Sequence, residues 1–487
     1  TNQSNNTIKL FPPILFTVKK DGSGNFSTIQ SAIDSVKSSD SLIVYPGTYE
    51  EDVNFKNKNI ILGSLYVLNG DSTYRDQTII KGDVVLDTIA SDGGIIGMMI
   101  YKHDLKINGG RPQLKLLHIR ERQGPGLSIL NNANVVLDQS IISANNNNQD
   151  SGNLNKHGGG INISKSKVVI NNTRIDSNYA NDKRGYYGGG IYSANSYIEI
   201  NNTRISNNIA DKGGGIYSTN DSSLILTNVV FDNDSSNNQG GAMNVNFLKK
   251  MGYLTNISFL NNIARYSGRG GGGLFIDASK LKIKNSLFKN NKSNKDSGGA
   301  LYLYTSGGTD SLLVSDTKFL NNFSQDNGGG VYVYSNTSSN SKIEFSNTLF
   351  DGNIAKNGKN TYTSAFYSNS RNPGNVISIK YSTFVNNVGG YAVRMLGPSE
   401  FINSISWNNR TISYIASNGD TSFHNTSIYD IDLISHSLAR NISNENNNIN
   451  ADPRFINNSN NYNLSEYSPA IGAAKNLVSS YSNYSKD

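Results

Sequence analysis

The side chains that could carry chemistry in this 487-residue chain are few in kind. Cysteine is absent, which removes thiol nucleophiles, thiolate metal sites and disulfides. The five histidines, His103, His118, His157, His424 and His436, share no metal-ligand spacing, and no serine sits in a Gly-x-Ser-x-Gly elbow. Arg174 and Arg204 hold matching places in Asn171-Asn172-Thr173-Arg174 and Asn201-Asn202-Thr203-Arg204, and are expected to stack as a solvated pair. Arg394, in Ala392-Val393-Arg394-Met395, is a charge among apolar neighbours and reads as part of a buried or groove ion pair. What remains is aromatic. Aligned on the glycine pairs described below, Tyr192, Tyr217, Phe275, Tyr302, Tyr332 and Tyr367 fall in one column, which Asn244 interrupts. Tyr304 and Tyr334 follow two residues further on. Stacked rings stabilise adjacent strands by about 0.5–1.5 kcal/mol per good pair. An outward, flat stripe of them also suits sugar rings or a partner surface. These eight are the candidate binding residues; no catalytic residue, metal ligand or cofactor is expected with them.

The elements that position these rings come from an internal repeat. One mark is Phe/Ile-x-x-Asn. It runs Ile142 to Asn145, Ile175 to Asn178, Ile205 to Asn208, Phe259 to Asn262, Phe288 to Asn291, Phe319 to Asn322, Phe350 to Asn353, Phe384 to Asn387 and Ile405 to Asn408. The unit at Phe231 ends in Asp234 instead. A second mark, Gly-Gly-small-aliphatic, lies between these, as in Gly188-Gly189-Gly190-Ile191, Gly240-Gly241-Ala242-Met243, Gly298-Gly299-Ala300-Leu301 and Gly328-Gly329-Gly330-Val331. The period averages about 29 residues. After each glycine mark the residues alternate, as in Leu301-Tyr302-Leu303-Tyr304, which is the period of a strand with one buried face. Each period therefore holds about three short strands, and helical periodicity is missing. A leucine-rich repeat would need Leu-x-x-Leu-x-Leu, and a propeller blade nearer forty residues. One coil of a parallel β-helix fits. Stacked asparagines about 4.8 Å apart would then form an amide ladder, with Asp234 its weak rung.

Composition agrees. There are 74 Asn and 47 Gly, which tolerate the positive φ of turns, and only 17 % charged residues. The net charge of +7 is spread without a basic block, which argues against nucleic-acid binding. No run approaches eighteen apolar residues, so no membrane span is expected. The polar start Thr1-Asn2-Gln3-Ser4 reads as a mature end after cleavage, and zero cysteine in a long chain suits an exported bacterial protein.

The two-mark repeat resembles the polymorphic membrane proteins of Chlamydia, whose passengers carry Gly-Gly-Ala-Ile and Phe-x-x-Asn. The resemblance covers roughly residues 140–410 and implies a right-handed parallel β-helix and a role in adhesion. The segment from Val18-Lys19-Lys20-Asp21-Gly22 to Ser31-Ala32-Ile33, with Tyr45-Pro46-Gly47-Thr48-Tyr49, resembles the opening of pectin methylesterases, which implies a strand, a capping helix and a first coil. Independently, Ile29, Ala32, Ile33 and Val36 make an apolar helical stripe with Ser27 as the expected N-cap. The catalytic Gly-Tyr-Gln-Asp-Thr and Asp-Phe-Ile-Phe-Gly segments of those esterases are missing. Ala451-Asp452-Pro453-Arg454-Phe455 and Ser468-Pro469-Ala470-Ile471-Gly472 resemble the last coil of secreted Bacteroidetes-type β-helix proteins, which often carry a further sorting domain. Pectate lyases bind Ca²⁺ through aspartates and abstract a proton with Arg or Lys. The nearest candidates are Arg111, Lys115 and Arg120 beside Asp104.

The expected fold is all-β, a single-stranded right-handed parallel β-helix resembling that of pectate lyases. Residues 1–16 form an extension, 17–475 the helix with a cap at 27–38 and regular repeats at 140–410, and 476–487 a tail. The expected function is non-enzymatic: a secreted or cell-surface protein for adhesion, binding a polysaccharide or a cell-surface partner. The alternative is a lyase or related enzyme on an acidic polysaccharide, the one case in which Ca²⁺ enters.

Overall fold

The computed structural model describes residues 14–473, except 91, 148–156, 181–184, 221, 267–268, 307–309, 336–339, 357–363, 371–373, 416–420, 426–427, 430–432, 436, 440–444 and 458–460. Within these the chain winds as a parallel β-helix. Each regular coil passes through four sheets in turn, as in Lys167–Asn171, Arg174–Asp176, Tyr179–Ala180 and Ile191–Ala194, before Tyr197–Asn201 begins the next coil. The first sheet has 16 strands, the second 15, the third 11 and the fourth 14. Sixteen strands at about 4.8 Å give a stack roughly 70 Å long. Pairing is parallel throughout these sheets except between Arg410–Ile415 and Thr421–Asn425. The segment expected to make a last coil differs. Phe455–Asn457 and Asn461–Leu464 form an antiparallel hairpin, tied to the stack where the Tyr462 hydroxyl donates to Asp351 Oδ2 at 2.8 Å. The expected tail 476–487 lies outside the described residues, as does most of the extension; Leu15–Val18 already pairs with Ser41–Val44.

The open end of the first coil is covered by the helix Ile29–Ser35, shorter than the expected 27–38. Its N-cap is Thr28, whose Oγ1 accepts from Ser31 N, and not Ser27. Ile29, Ala32 and Ile33 are fully buried. Glu51 accepts from the backbone N–H groups of Ile29 and Gln30 at 2.8 and 2.9 Å, placing negative charge at the helix start. At the other end Lys58 Nζ donates to the carbonyls of Ile33, Asp34 and Val36.

The repeat marks have separate jobs. The residue before the final asparagine adopts positive φ, for instance Asn261, Asn290 and Asn321 at 56°, 58° and 53°. The final asparagine turns inward. Each donates from Nδ2 to Oδ1 of its equivalent in the following coil: Asn145 to Asn178, Asn178 to Asn208, Asn262 to Asn291, Asn291 to Asn322, Asn322 to Asn353, Asn353 to Asn387 and Asn387 to Asn409, all at 2.9–3.0 Å. The last rung is therefore Asn409, and the expected Asn408 is off by one. Ser406, not Ile405, pairs in register with Phe384 and takes the inward place. Inside the coil Phe231, Phe259, Phe288, Phe319, Phe350 and Phe384 stack at 4.4–4.9 Å. The glycine mark lets coils approach. A Cβ on Gly299 would lie 2.1 Å from the carbonyl oxygen of Gly329, and Gly298 turns at φ +69°.

Asp234 occupies a ladder place with no solvent access. Its Oδ1 accepts from Asn208 N and Nδ2 at 2.8 and 2.9 Å, while Oδ2 has no partner among the described residues. Burial pushes its carboxyl well above the ordinary range. The folded state thus holds a proton that the unfolded chain releases near pH 4. The sign follows: the rung's contribution is complete below about pH 4 and declines as pH rises toward the folded value. Asp234→Asn returns the missing donor and is expected to stabilise the protein at pH 8 by about 1–3 kcal/mol. Urea unfolding at pH 4 and pH 8 checks this; the variant should show the smaller difference between the two.

Candidate functional site

The outward positions of the fourth sheet form the expected column. Asn162, Tyr192, Tyr217, Asn244, Phe275, Tyr302, Tyr332, Tyr367 and Arg394 are successive in-register partners. Beside it run Asn246, Asp277, Tyr304, Tyr334 and Asn369. The expectation of an open stripe is corrected, however. Tyr217, Phe275, Tyr302, Tyr304, Tyr332 and Tyr367 are buried, and only Tyr192 and Tyr334 are half-exposed.

The reason is a second layer of side chains. At the N-terminal block, His157 stacks on Tyr192 at 4.2 Å and on Tyr187 at 4.9 Å, and Tyr187 stacks on Tyr217 at 4.5 Å. His157 and Tyr187, each directly before a glycine mark, are thus carried over the column. At the C-terminal block the rings cover one another: Tyr302 meets Tyr332 edge-on at 4.8 Å, Tyr332 stacks on Tyr367 at 5.5 Å, and Tyr304 on Tyr334 at 5.7 Å. The Arg269 guanidinium lies 3.7 Å from the Tyr304 ring centre, and Arg394 lies 5.9 Å from that of Tyr367. Burial pushes the Tyr217 hydroxyl up to about 12.

Between the blocks is a polar centre. Asn246 donates to the Tyr217 hydroxyl at 2.8 Å. Asn244 keeps a buried Oδ1 with no partner among the described residues. Lys212 lies over the Tyr187 ring at 5.4 Å, and burial lowers its pKa against the pull of Asp211 and Asp277. Asp277 accepts from the Ser306 hydroxyl, and burial raises its carboxyl against Ser306, Arg269 and Lys212. The face therefore combines ring edges, an unfilled amide acceptor, two cations and a carboxylate. That combination can stack on the apolar face of a sugar and answer its hydroxyl or carboxylate groups.

The other sequence candidates fall elsewhere. Arg111 is exposed, and Arg120 pairs with Glu121. The cations that act on Asp104 are Arg122 and, more weakly, Lys106. Burial and Asp83 outweigh them and raise the Asp104 carboxyl to about 6. Arg174 and Arg204 are neighbours in register, and Arg204 pairs with Asp232 at 2.5 Å. Among the described residues no group of three His, Asp or Glu is placed to hold a metal ion. His436 lies outside the described residues. Tyr187, Lys212, Arg269 and Asp277 are not among the sequence candidates, and His157 and Asn244 enter there only as a histidine without ligand spacing and as a gap in the column. The signal was present: His157, Tyr187 and Lys212 each directly precede a glycine mark and so share one column.

Among the described residues no helix is long and apolar enough to cross a membrane. No family model matches the chain. It is similar to a plant protein, probable pectinesterase/pectinesterase inhibitor 17 of Arabidopsis thaliana, with 36 % identity over 75 residues. The match takes in 13 % of this chain and spans 15 % of the length of that curated relative, in keeping with a local likeness to pectin methylesterases.

Proposed function

We propose that this protein binds a polysaccharide along the outer face of its fourth sheet, as a secreted or cell-surface protein acting in adhesion or glycan contact. One observation carries the reading. Two aromatic blocks flank a polar centre of Lys212, Asn244, Arg269 and Asp277, in which Lys212, Asn244 and Asp277 are partly or wholly withdrawn from water and Asn244 Oδ1 is unfilled. The local likeness to a probable pectinesterase adds support for a carbohydrate ligand. The half-exposed rings are the contact residues, and the buried ones are their foundation. Replacing Tyr187 and Tyr334 together by Ala is therefore expected to weaken binding to an acidic polysaccharide about 10-fold or more with the fold retained. Tyr302→Ala is expected instead to destabilise the protein by about 3–5 kcal/mol, the range for emptying a buried aromatic site. Titration of purified protein on immobilised polygalacturonate and a neutral glucan, with thermal melting in parallel, separates the two. Unchanged binding in the double variant would remove this face from the interaction.

A second reading rests on Lys212. An amine whose burial favours the neutral form, beside Arg269, is suited to take a proton from a uronate. It is the lyase reading of the same face; among the described residues no group of carboxylates is placed there to hold the Ca²⁺ that such a reading would add. New unsaturated ends after incubation with polygalacturonate would decide for it.

A further inference from the structure

Asp76, His118 and Ser143 are far apart in sequence and meet on the outer face of the second sheet, away from the aromatic column. His118 and Ser143 stand on adjacent strands, His118–Arg120 and Ile141–Ser143. Asp76 comes from the short helix Tyr74–Gln77, packed against the same sheet. His118 Nδ1 lies 3.0 Å from Asp76 Oδ1, and His118 Nε2 lies 3.2 Å from Ser143 Oγ. Arg75 holds Asp76 through both carboxylate oxygens, at 3.0 and 2.6 Å. The imidazole is buried enough that desolvation favours its neutral form, against the pull of Asp76. With Nδ1–H donated to the carboxylate, the Nε2 lone pair is directed to the serine hydroxyl.

A fourth group completes the arrangement. Arg120 is the in-register neighbour of Ser143. Its terminal nitrogen pairs with Glu121, but its Nε is buried and has no partner among the described residues. An unpaired cationic N–H carried at the strand position next to that of a nucleophile is a donor available to a developing oxyanion.

We propose that Ser143, His118 and Asp76 act as nucleophile, base and orienting carboxylate in the hydrolysis of small acyl esters, with Arg120 Nε as an oxyanion donor. Ser143 Oγ attacks the ester carbonyl carbon as His118 Nε2 takes its proton. The C–O bond to the alcohol breaks, and the leaving alkoxide takes that proton from His118. Water then attacks the acyl-serine, giving a proton to His118. The Ser143–acyl bond breaks and the proton returns to Ser143, with the carboxylic acid released. Ser143 is 9 % exposed, which limits the acyl group to a short one such as acetyl.

The test uses the full chain with p-nitrophenyl acetate and, separately, a fluorophosphonate. Expected are release of p-nitrophenol and a covalent label on the peptide that holds Ser143, read by mass spectrometry on the unsubstituted protein. Ser143→Ala should abolish both. His118→Gln and Asp76→Asn should lower the rate about 100-fold or more, the scale of a lost general base. Ser206→Ala is the control. Ser206 stands two coils on in the same column, bonded to Asp176, and its replacement should change nothing. A label absent from the Ser143 peptide, or hydrolysis equal in Ser143→Ala, overturns the proposal. Neither result bears on polysaccharide binding by the fourth sheet.

Discussion

A protein lacking residues 1–40 is expected to aggregate instead of forming a shorter soluble rod. The deletion removes the helix Ile29–Ser35, whose Ile29, Ala32 and Ile33 are fully buried against the first coil. It also removes Leu15–Val18, the strand that pairs with Ser41–Val44. What is left is an apolar end formed by Leu42, Val44, Tyr49, Val53 and Phe55, all buried in the intact protein. Next to it lies a strand edge with unpaired N–H and C=O groups, which is a template for another chain. Size-exclusion chromatography of the truncated protein checks this, and a stable monomeric peak would show that the cap is dispensable. A milder form keeps the cap and hollows it. Ile33→Ala is expected to cost about 2–4 kcal/mol while leaving the protein soluble.

Asn291→Ala is expected to be among the most damaging single replacements of a polar residue in the stack, at about 4 kcal/mol or more, from about 1–3 kcal/mol for each of the four buried groups left unpaired. Asn291 is fully buried and makes four bonds through its side chain. Its Oδ1 accepts from the backbone N–H and the Nδ2 of Asn262, at 3.2 and 2.9 Å. Its Nδ2 donates to the carbonyl of Phe259 at 2.8 Å and to Asn322 Oδ1 at 3.0 Å. Alanine supplies none of these, and the neighbouring amides cannot reach water. Lys289→Ala, two residues away and exposed, should stay within about 0.5 kcal/mol. The urea midpoints of the two variants give the comparison; near-equal midpoints would mean that the ladder contributes little.

The fold was legible because its information is periodic. Gly-Gly marks and Phe-x-x-Asn marks each recur once per coil, so alignment of the marks is alignment of the strands. The pairings Tyr302 with Tyr332 and Phe288 with Phe319 follow directly. The frame failed only at Ile405. There an aliphatic residue next to the true inward position, Ser406, imitated the mark. The N-cap slipped by one for a similar local reason, since Ser27 and Thr28 are both good caps.

The site was legible only as a column. Which residues share a face follows from strand period, but what lies over that face does not. The rings of His157 and Tyr187 reach the column from the turns that precede the glycine marks. The meeting of Asp76, His118 and Ser143 is further still from any sequence pattern. It joins a short helix to two coils, and none of its spacings is that of a known motif.

The ladder and the four sheets share one geometric property: their hydrogen bonds run from coil to coil, along the length of the stack. Tension applied between the chain ends would therefore load one coil boundary at a time, in series, as a zipper is opened. Each coil that peels away releases about 30 residues, roughly 100 Å of extended chain. It exposes a new boundary much like the one just broken. Under load such a molecule lengthens in near-equal steps at a nearly level force, and a tether of this kind yields without snapping.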